Sequence, residues 1–271
     1  MDTRFMRILF FGDVVGRPGR EALRYIIPLW KKEHMPDIII ANGENMAHGK
    51  GISERAVREL FASGVDVLTS GNHAIDGPDA LAVLADESFP LIRPLNFQAH
   101  IPGRGFLVKD AGGYPLLIMN AIGTVHMKKV YQMPFSMIDT VLEKHPGIKH
   151  ILLDWHAEAT SEKIAMGWYV DGRVSAVLGS HTHTPTADER ILPKGTAFIS
   201  DAGMVGPHHS IIGEDVTLNL KRLTTQLNGK TDIAVAPPYE INAVVVELDN
   251  ESGRAVSIRR MREVVDKSLT Q

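Results

Sequence analysis

The stretch MRILFFGDVVGR, residues 6–17, is an apolar run that stops abruptly at Gly12-Asp13. Met6 to Phe11, with Arg7 as its one charged residue, suits a strand buried on both faces. A carboxylate straight after such a strand stands where open sheets collect ligands. The pattern recurs twice downstream. In DIIIANGEN (37–45) the run Asp37 to Ala41 precedes Glu44 and Asn45, and in VDVLTSGNHAID (65–76) the run Val65 to Thr69 precedes Asn72 and His73. Between these strands the spacing turns helical. Glu21 to Lys32 carries Leu23, Ile26, Ile27 and Trp30 on one face, with Pro28 expected to kink or shorten it. Ser53 is an N-cap before Ala56, Val57, Leu60 and Phe61, and a third helix is expected from Pro78 to Ala85. This β-loop-α rhythm predicts a sheet with helices on at least one face.

Beyond residue 100 the order loosens. Glycines 103, 105, 112 and 113 bracket FLVK and PLLIMN, which predicts a hairpin turning near Asp110 to Gly113. Met133 to Lys144 and Ser161 to Tyr169 read as helices, and Lys149 to Asp154 and Val174 to Leu178 as strands. Short strands follow at Gly195 to Ser200, Ala243 to Leu248 and Ala255 to Arg259, with a brief helix near Asp215 to Gln226. No linker or repeat divides the chain, so residues 1–271 are expected to form one domain on two packed, mixed sheets flanked by helices.

Composition narrows the function classes. A charge of −3 over 271 residues gives no basic surface for a long nucleic acid, although one pocket could hold a mononucleotide. The chain has no cysteine, which excludes thiolate metal sites and cysteine nucleophiles and suits a reducing compartment. No apolar run is long enough to cross a bilayer, and the opening MDTRFMRILFFGD turns acidic too soon for a leader. The expected location is the cytoplasm.

Two further pieces complete a set of ligand-type residues. His156 ends ILLDWH (151–156), and His181 and His183 follow SAVLGS in the segment 175–184. Taken singly, Asp13 suits a loop cap, Glu44-Asn45 a turn, and His156 a buried hydrogen-bonded histidine. Two imidazoles two residues apart on an extended segment share a side, so each could serve one of two neighbouring metals. Together Asp13, Glu44, Asn45, Asn72, His156, His181 and His183 make a sulfur-free N/O field larger than one zinc needs. That surplus points to two metals, suited to activating water and clamping a phosphoryl group. His73, beside Asn72, is free for proton transfer as the catalytic acid. Arg17 and Arg20 are weaker phosphate candidates beside GRPG (16–19), which also reads as a solvated turn. His48 and Lys50 are rim candidates, His208 and His209 a solvated pair or pocket mouth, and Trp155 and Trp168 core residues rather than a base-stacking platform with Tyr169.

In order and spacing these pieces resemble the calcineurin-like metallophosphoesterase superfamily, whose pattern runs GDxH, GDxxx, GNHE, a lone histidine and GHxH. Here the pieces are GDVV (12–15), GENMA (43–47), GNHA (71–74), His156 and SHTH (180–183). Val15 stands where that pattern has a histidine ligand, Glu44 replaces the bridging aspartate, and Asn45 could supply the missing ligand. With NGEN and SDAGMVG (200–206), these departures resemble the narrower YmdB-like group of bacterial metallophosphoesterases, phosphodiesterases of cyclic nucleotides assigned a di-iron centre. The resemblance implies an α/β fold, a four-layer α/β/β/α sandwich. It also implies Asp13, Asn45 and His183 at one metal, Asn72, His156 and His181 at the other, Glu44 bridging, and His73 near the leaving group. Two divalent or mixed-valence transition metal ions are expected, iron first and manganese next. The expected function is hydrolysis of a small phosphodiester, a 2′,3′-cyclic nucleotide, by a metal-activated hydroxide. Neither a long nucleic acid nor a membrane is an expected partner, and self-association stays open. A nucleotidase or general phosphomonoesterase, and a scaffold with a structural metal centre, are the alternatives.

Overall fold

The computed structural model describes residues 4–129, 131–227, 229 and 231–266. In chain order its elements are β1 (Phe5–Val14), α1 (Gly16–His34), β2 (Ile38–Asn42), α2 (Glu54–Ala62), β3 (Val67–Thr69), α3 (Ala80–Ala85), β4 (Phe106–Ala111), β5 (Tyr114–Ile122), α4 (Pro134–Lys144), β6 (His150–His156), α5 (Thr160–Val170), β7 (Ala176–Ser180), β8 (Arg190–Ile191), β9 (Ala197–Ile199), β10 (Met204–Pro207), α6 (Val216–Thr225), β11 (Tyr239–Asp249) and β12 (Ala255–Val265). The first six-stranded sheet runs β12-β11-β10-β1-β2-β3 and the second β4-β5-β6-β7-β9-β8. Both are mixed. β1, β2 and β3 are mutually parallel, as are β5, β6, β7 and β9, while β11, β12, β4 and β8 join antiparallel.

Strand alternation explains the layering. In β1, Ile8 and Phe10 pack with Leu116, Ile118, Leu152, Val244 and Val246 between the sheets. Leu9 and Phe11 point the other way, onto Leu23, Ile26, Ile27 and Trp30 of α1. In the second sheet Leu117, Met119 and Leu153 face Ile138 of α4 and Met166 of α5. The result is four layers, α/β/β/α, as expected. Fully burying each of these large side chains contributes about 1.5–3 kcal/mol, and Phe10, Ile8 and Leu152 are wholly inaccessible.

Several local expectations need correction. Residues 16–19 are the first turn of α1 rather than a solvated turn, and Pro18 is tolerated there because the first turn has no intrahelical partner for its missing N–H. Pro28 lies on the solvent face and does not end the helix, which Ile27 and Trp30 anchor on both sides of it. Trp155 is buried, but Trp168 is 54% exposed, because α5 turns Met166 and Val170 to the sheet and leaves Trp168 on the far face. Tyr169 is also exposed and bonds Asp139 at the surface. Ser53 caps α2 as its sequence position suggests, accepting from the Ala56 amide.

Candidate metal centre

Every ligand-type residue sits at or just beyond the carboxyl end of a parallel strand, and the two sheets present those ends to one place. Asp13 is the next-to-last residue of β1, at a register shift between Phe11 and Asp13 that brings it level with Asn42. Its Oδ2 accepts from the His181 amide at 3.0 Å, whereas Oδ1 is buried with no hydrogen-bond partner. His156 is fully buried at the end of β6. Its Nδ1 meets Ser180 Oγ at 2.9 Å, and Ser180 donates to Asp154 Oδ1 at 2.6 Å. That chain leaves His156 Nε2 facing the centre, 3.1 Å from Glu44 Oε2 and 3.0 Å from both Asn72 Oδ1 and His181 Nδ1. On the other side of Glu44, Asn45 Nδ2 is 2.9 Å from Glu44 Oε1 and 3.1 Å from His183 Nε2. His183 Nδ1 meets the Ile212 carbonyl at 2.8 Å, which assigns the proton to that nitrogen and frees Nε2.

All seven ligand-type residues therefore converge, in two groups that share one carboxylate. Glu44, His156 and His181 form the first, and Asp13, Glu44 and His183 the second, with ligand atoms in each group within 4.8 Å of one another. The HTH segment reaches both by an unexpected route. It is not an extended strand whose imidazoles share a side, since His181 has φ 102° and His183 φ 65°. This strained bend sends one ring to each group. Gly71 makes room for the contact, because a Cβ there would collide with Glu44 Oε2 and His156 Nε2.

The electrostatics describe a site short of positive charge. Burial pushes the Asp13 carboxyl up to about 7, against the pull of His183 and His156. Burial alone would raise Glu44 too, yet His156 beside it holds its carboxyl well below the usual range. Burial would lower His156, but Glu44, with Asp13 behind it, holds the imidazolium up at about 9. His181 is pushed down to about 3 by burial and by the neighbouring His156 charge. An unpartnered buried carboxylate oxygen, a carboxylate shared between two groups and imidazole nitrogens aimed inward are a donor set that fits two cations. The chain has no cysteine, so no thiolate favours softer chemistry.

His73 stands apart from the ligand atoms. Its backbone N–H donates to Glu44 Oε2 at 3.1 Å, and its Nδ1 lies 2.7 Å from Asp76 Oδ2. Asp76 is in turn 3.4 Å from Lys129 Nζ. His73, Asp76 and Tyr131 line a cleft of about 390 Å³ that reaches His181. Lys50 also lines this cleft, but Arg17, Arg20 and His48 line a different one, and Arg20 is committed to Glu59 at 2.6 Å. His208 pairs with Glu240 at 3.1 Å. Asp76 was discoverable as the carboxylate three residues after His73, whereas no local pattern singles out Lys129, Tyr131, Asp154 or Asp201.

A family model described as YmdB-like protein matches residues 9–261. The chain is 43% identical over 257 residues to the 2′,3′-cyclic-nucleotide 2′-phosphodiesterase of Bacillus subtilis, covering 94% of this chain and 96% of that protein. A hypothetical protein from Thermus thermophilus superposes with TM-score 0.89 at 41% identity, covering 96% of this chain and 100% of that one. A phosphatase from Mycoplasma pneumoniae superposes with TM-score 0.91 at 32% identity, covering 97% and 94%. With a family match over nearly its whole length and these relatives, the chain belongs to the YmdB-like protein family.

Proposed function

We propose that the protein is a dinuclear metal-dependent phosphodiesterase that opens 2′,3′-cyclic nucleotides at the 2′ oxygen, leaving a nucleoside monophosphate. The observation that carries this reading is Glu44, whose two carboxylate oxygens face two separate groups of N/O donors. In this reading Asp13, Asn45 and His183 would hold one ion and Asn72, His156 and His181 the other, with Glu44 serving both groups, iron being preferred and manganese next. Two such ions supply a lowered water pKa and charge stabilisation of the phosphoryl oxygens. Glu44 offsets the repulsion between the two positions. Asp154, acting through Ser180, fixes the His156 ring so that Nε2 faces inward. Asp76 accepts from His73 Nδ1, which orients the ring and leaves Nε2 toward the cleft. His73 then gives the proton on Nε2 to the departing ribose oxygen. Water adds across the P–O bond, its hydroxyl going to phosphorus while the ribose oxygen leaves as a hydroxyl.

The reading takes the chain as one metallophosphoesterase domain, supported by the delivery of ligands from both sheets. It also takes the compartment as the cytoplasm, supported by the cysteine-free sequence. No helix among the described residues is long and apolar enough to cross a membrane.

Metal-loaded protein incubated with adenosine 2′,3′-cyclic phosphate should release a nucleoside monophosphate without inorganic phosphate, and elemental analysis should find two ions per chain. Phosphate release from monoesters without ring opening would replace this reading with a phosphomonoesterase. Background turnover at full metal loading would leave a structural centre.

A further inference from the structure

We infer that the cleft beside His73 receives a second phosphate, so that the preferred substrate is a 2′,3′-cyclic ribonucleotide also phosphorylated on its 5′ oxygen, as at the end of a cleaved oligoribonucleotide. This inference rests on the phosphodiesterase reading and specifies its substrate.

The wall of the cleft holds more donors than acceptors. The segment between β5 and α4 contributes Lys128, Lys129 and Tyr131, and Lys50 comes from the loop after β2. The cleft has two carboxylates, and both are engaged. Glu158 Oε2 lies 3.0 Å from His181 Nε2. Asp76 faces three nitrogen donors at once, with His73 Nδ1 at 2.7 Å, Lys129 Nζ at 3.4 Å and Lys50 Nζ at 3.9 Å. One carboxylate that also holds a histidine ring cannot balance two ammonium groups, and Lys128 has no ion pair among the described residues. The Tyr131 hydroxyl is a separate sign of the same deficit. It is buried with no hydrogen-bond partner, on a ring stacked against Phe97 at a centroid distance of 5.4 Å. That stacking holds the hydroxyl in place, and a buried polar group left unmet is costly.

The missing partner is thus an oxygen-rich anion. The cyclic phosphate belongs at the metal centre, and a free 5′ hydroxyl carries no charge for the ammonium groups. A 5′ phosphate supplies both charge and acceptor oxygens, and Lys serves well as a point charge for phosphate. The cleft volume lies within the range of small-ligand pockets. A long polynucleotide is not required, because the surplus is confined to this wall while the chain's net charge is −3.

Two readouts test this. The first is kcat/KM of metal-loaded protein for adenosine 2′,3′-cyclic phosphate and for its 5′-phosphorylated form. The second is calorimetric affinity for the corresponding products, adenosine 3′-phosphate and adenosine 3′,5′-bisphosphate. Each should favour the 5′-phosphorylated compound about tenfold. In the Lys128→Gln/Lys129→Gln variant that ratio should fall close to one, and in Tyr131→Phe it should fall several-fold. Any effect of Lys129 on Asp76 slows both substrates and cancels in the ratio. A wild-type ratio near one on both readouts, or a ratio that survives in both variants, would overturn the inference. If neither cyclic compound is opened, the phosphodiesterase reading fails, while the product-affinity ratio still decides whether a second phosphate binds here.

Discussion

Lys163→Met removes an ammonium group that is only 2% exposed on α5, yet holds two parts of the loop that carries His181 and His183. Its Nζ donates to the Ser180 carbonyl at 2.7 Å and to Asp201 Oδ2 at 2.6 Å. Asp201 also accepts from the Thr182 amide at 3.0 Å, the Thr182 hydroxyl at 2.8 Å and the Gly203 amide at 2.8 Å. The pair therefore ties down Ser180 and Thr182, on either side of His181 and next to His183, the two residues held at positive φ. Without Lys163 the Asp201 carboxylate keeps three donors but stays buried without a cation, which costs about 3–5 kcal/mol. For a chain of this size that corresponds to a fall in Tm of about 6–20 °C. Adding Asp201→Asn removes the stranded charge, so the double variant should lose less than the sum of the singles, by about 1–3 kcal/mol. The assay is urea unfolding of metal-stripped protein, since bound metal adds its own stabilisation. A parallel metal titration should show affinity about tenfold weaker in Lys163→Met. If Lys163→Met costs under about 1 kcal/mol, the pair acts like an exposed one and the reasoning fails. Additive singles would refute it as well.

Gly71→Ala should keep the fold and weaken metal binding by at least about tenfold, because the new Cβ occupies the space between Glu44 and His156; unchanged metal affinity would mean the two side chains do not approach there. His73→Ala should retain both metals and lower turnover of a 2′,3′-cyclic nucleotide by about 10²–10⁴-fold. Its effect on a nitrophenyl diester should be much smaller, since that group departs as a stable anion, so equal losses on the two would rule out the acid role. Burial works to raise Asp188, but hydrogen bonds from Ser200 and Thr186 outweigh it and hold its carboxyl below the ordinary range. A depressed folded pKa means that its stabilisation is present above the unfolded value and is lost as pH falls through the folded one. The stability difference between wild type and Asp188→Asn should therefore shrink as pH falls below the unfolded aspartate value of about 3.9, and a pH-independent difference in urea midpoint would contradict that.

The failures of sequence reading are as instructive as its successes. β10 (Met204–Pro207) carries no strand pattern of its own, since a glycine and a proline interrupt it. It is a strand because β1 on one side and β11 on the other supply its hydrogen bonds. Trp168 was assigned to the core because helical spacing shows that α5 has an apolar face, but not how far that face turns toward the sheet. Lys163 and Asp201 are 38 residues apart. Each alone looks like a solvated charge, and only the packing of α5 behind β7 reveals a buried pair.

What the sequence determined by itself was the set of chemical groups and the kind of place each occupies. Apolar runs that end at Asp13, Glu44, Asn72, His156 and His181 must become buried strands, and their polar ends must collect at one edge of a sheet. That much follows from local hydrophobicity and strand direction. Only the tertiary structure decided how the two edges meet: that His181 and His183 reach their two groups through a bend at positive φ, that Asp13 Oδ1 is left without a partner, and that Asp76, Lys129 and Tyr131 share the cleft with His73. These depend on the relative placement of two sheets and on loops at positive φ. Both are set by packing between residues distant in the chain, which no local periodicity encodes.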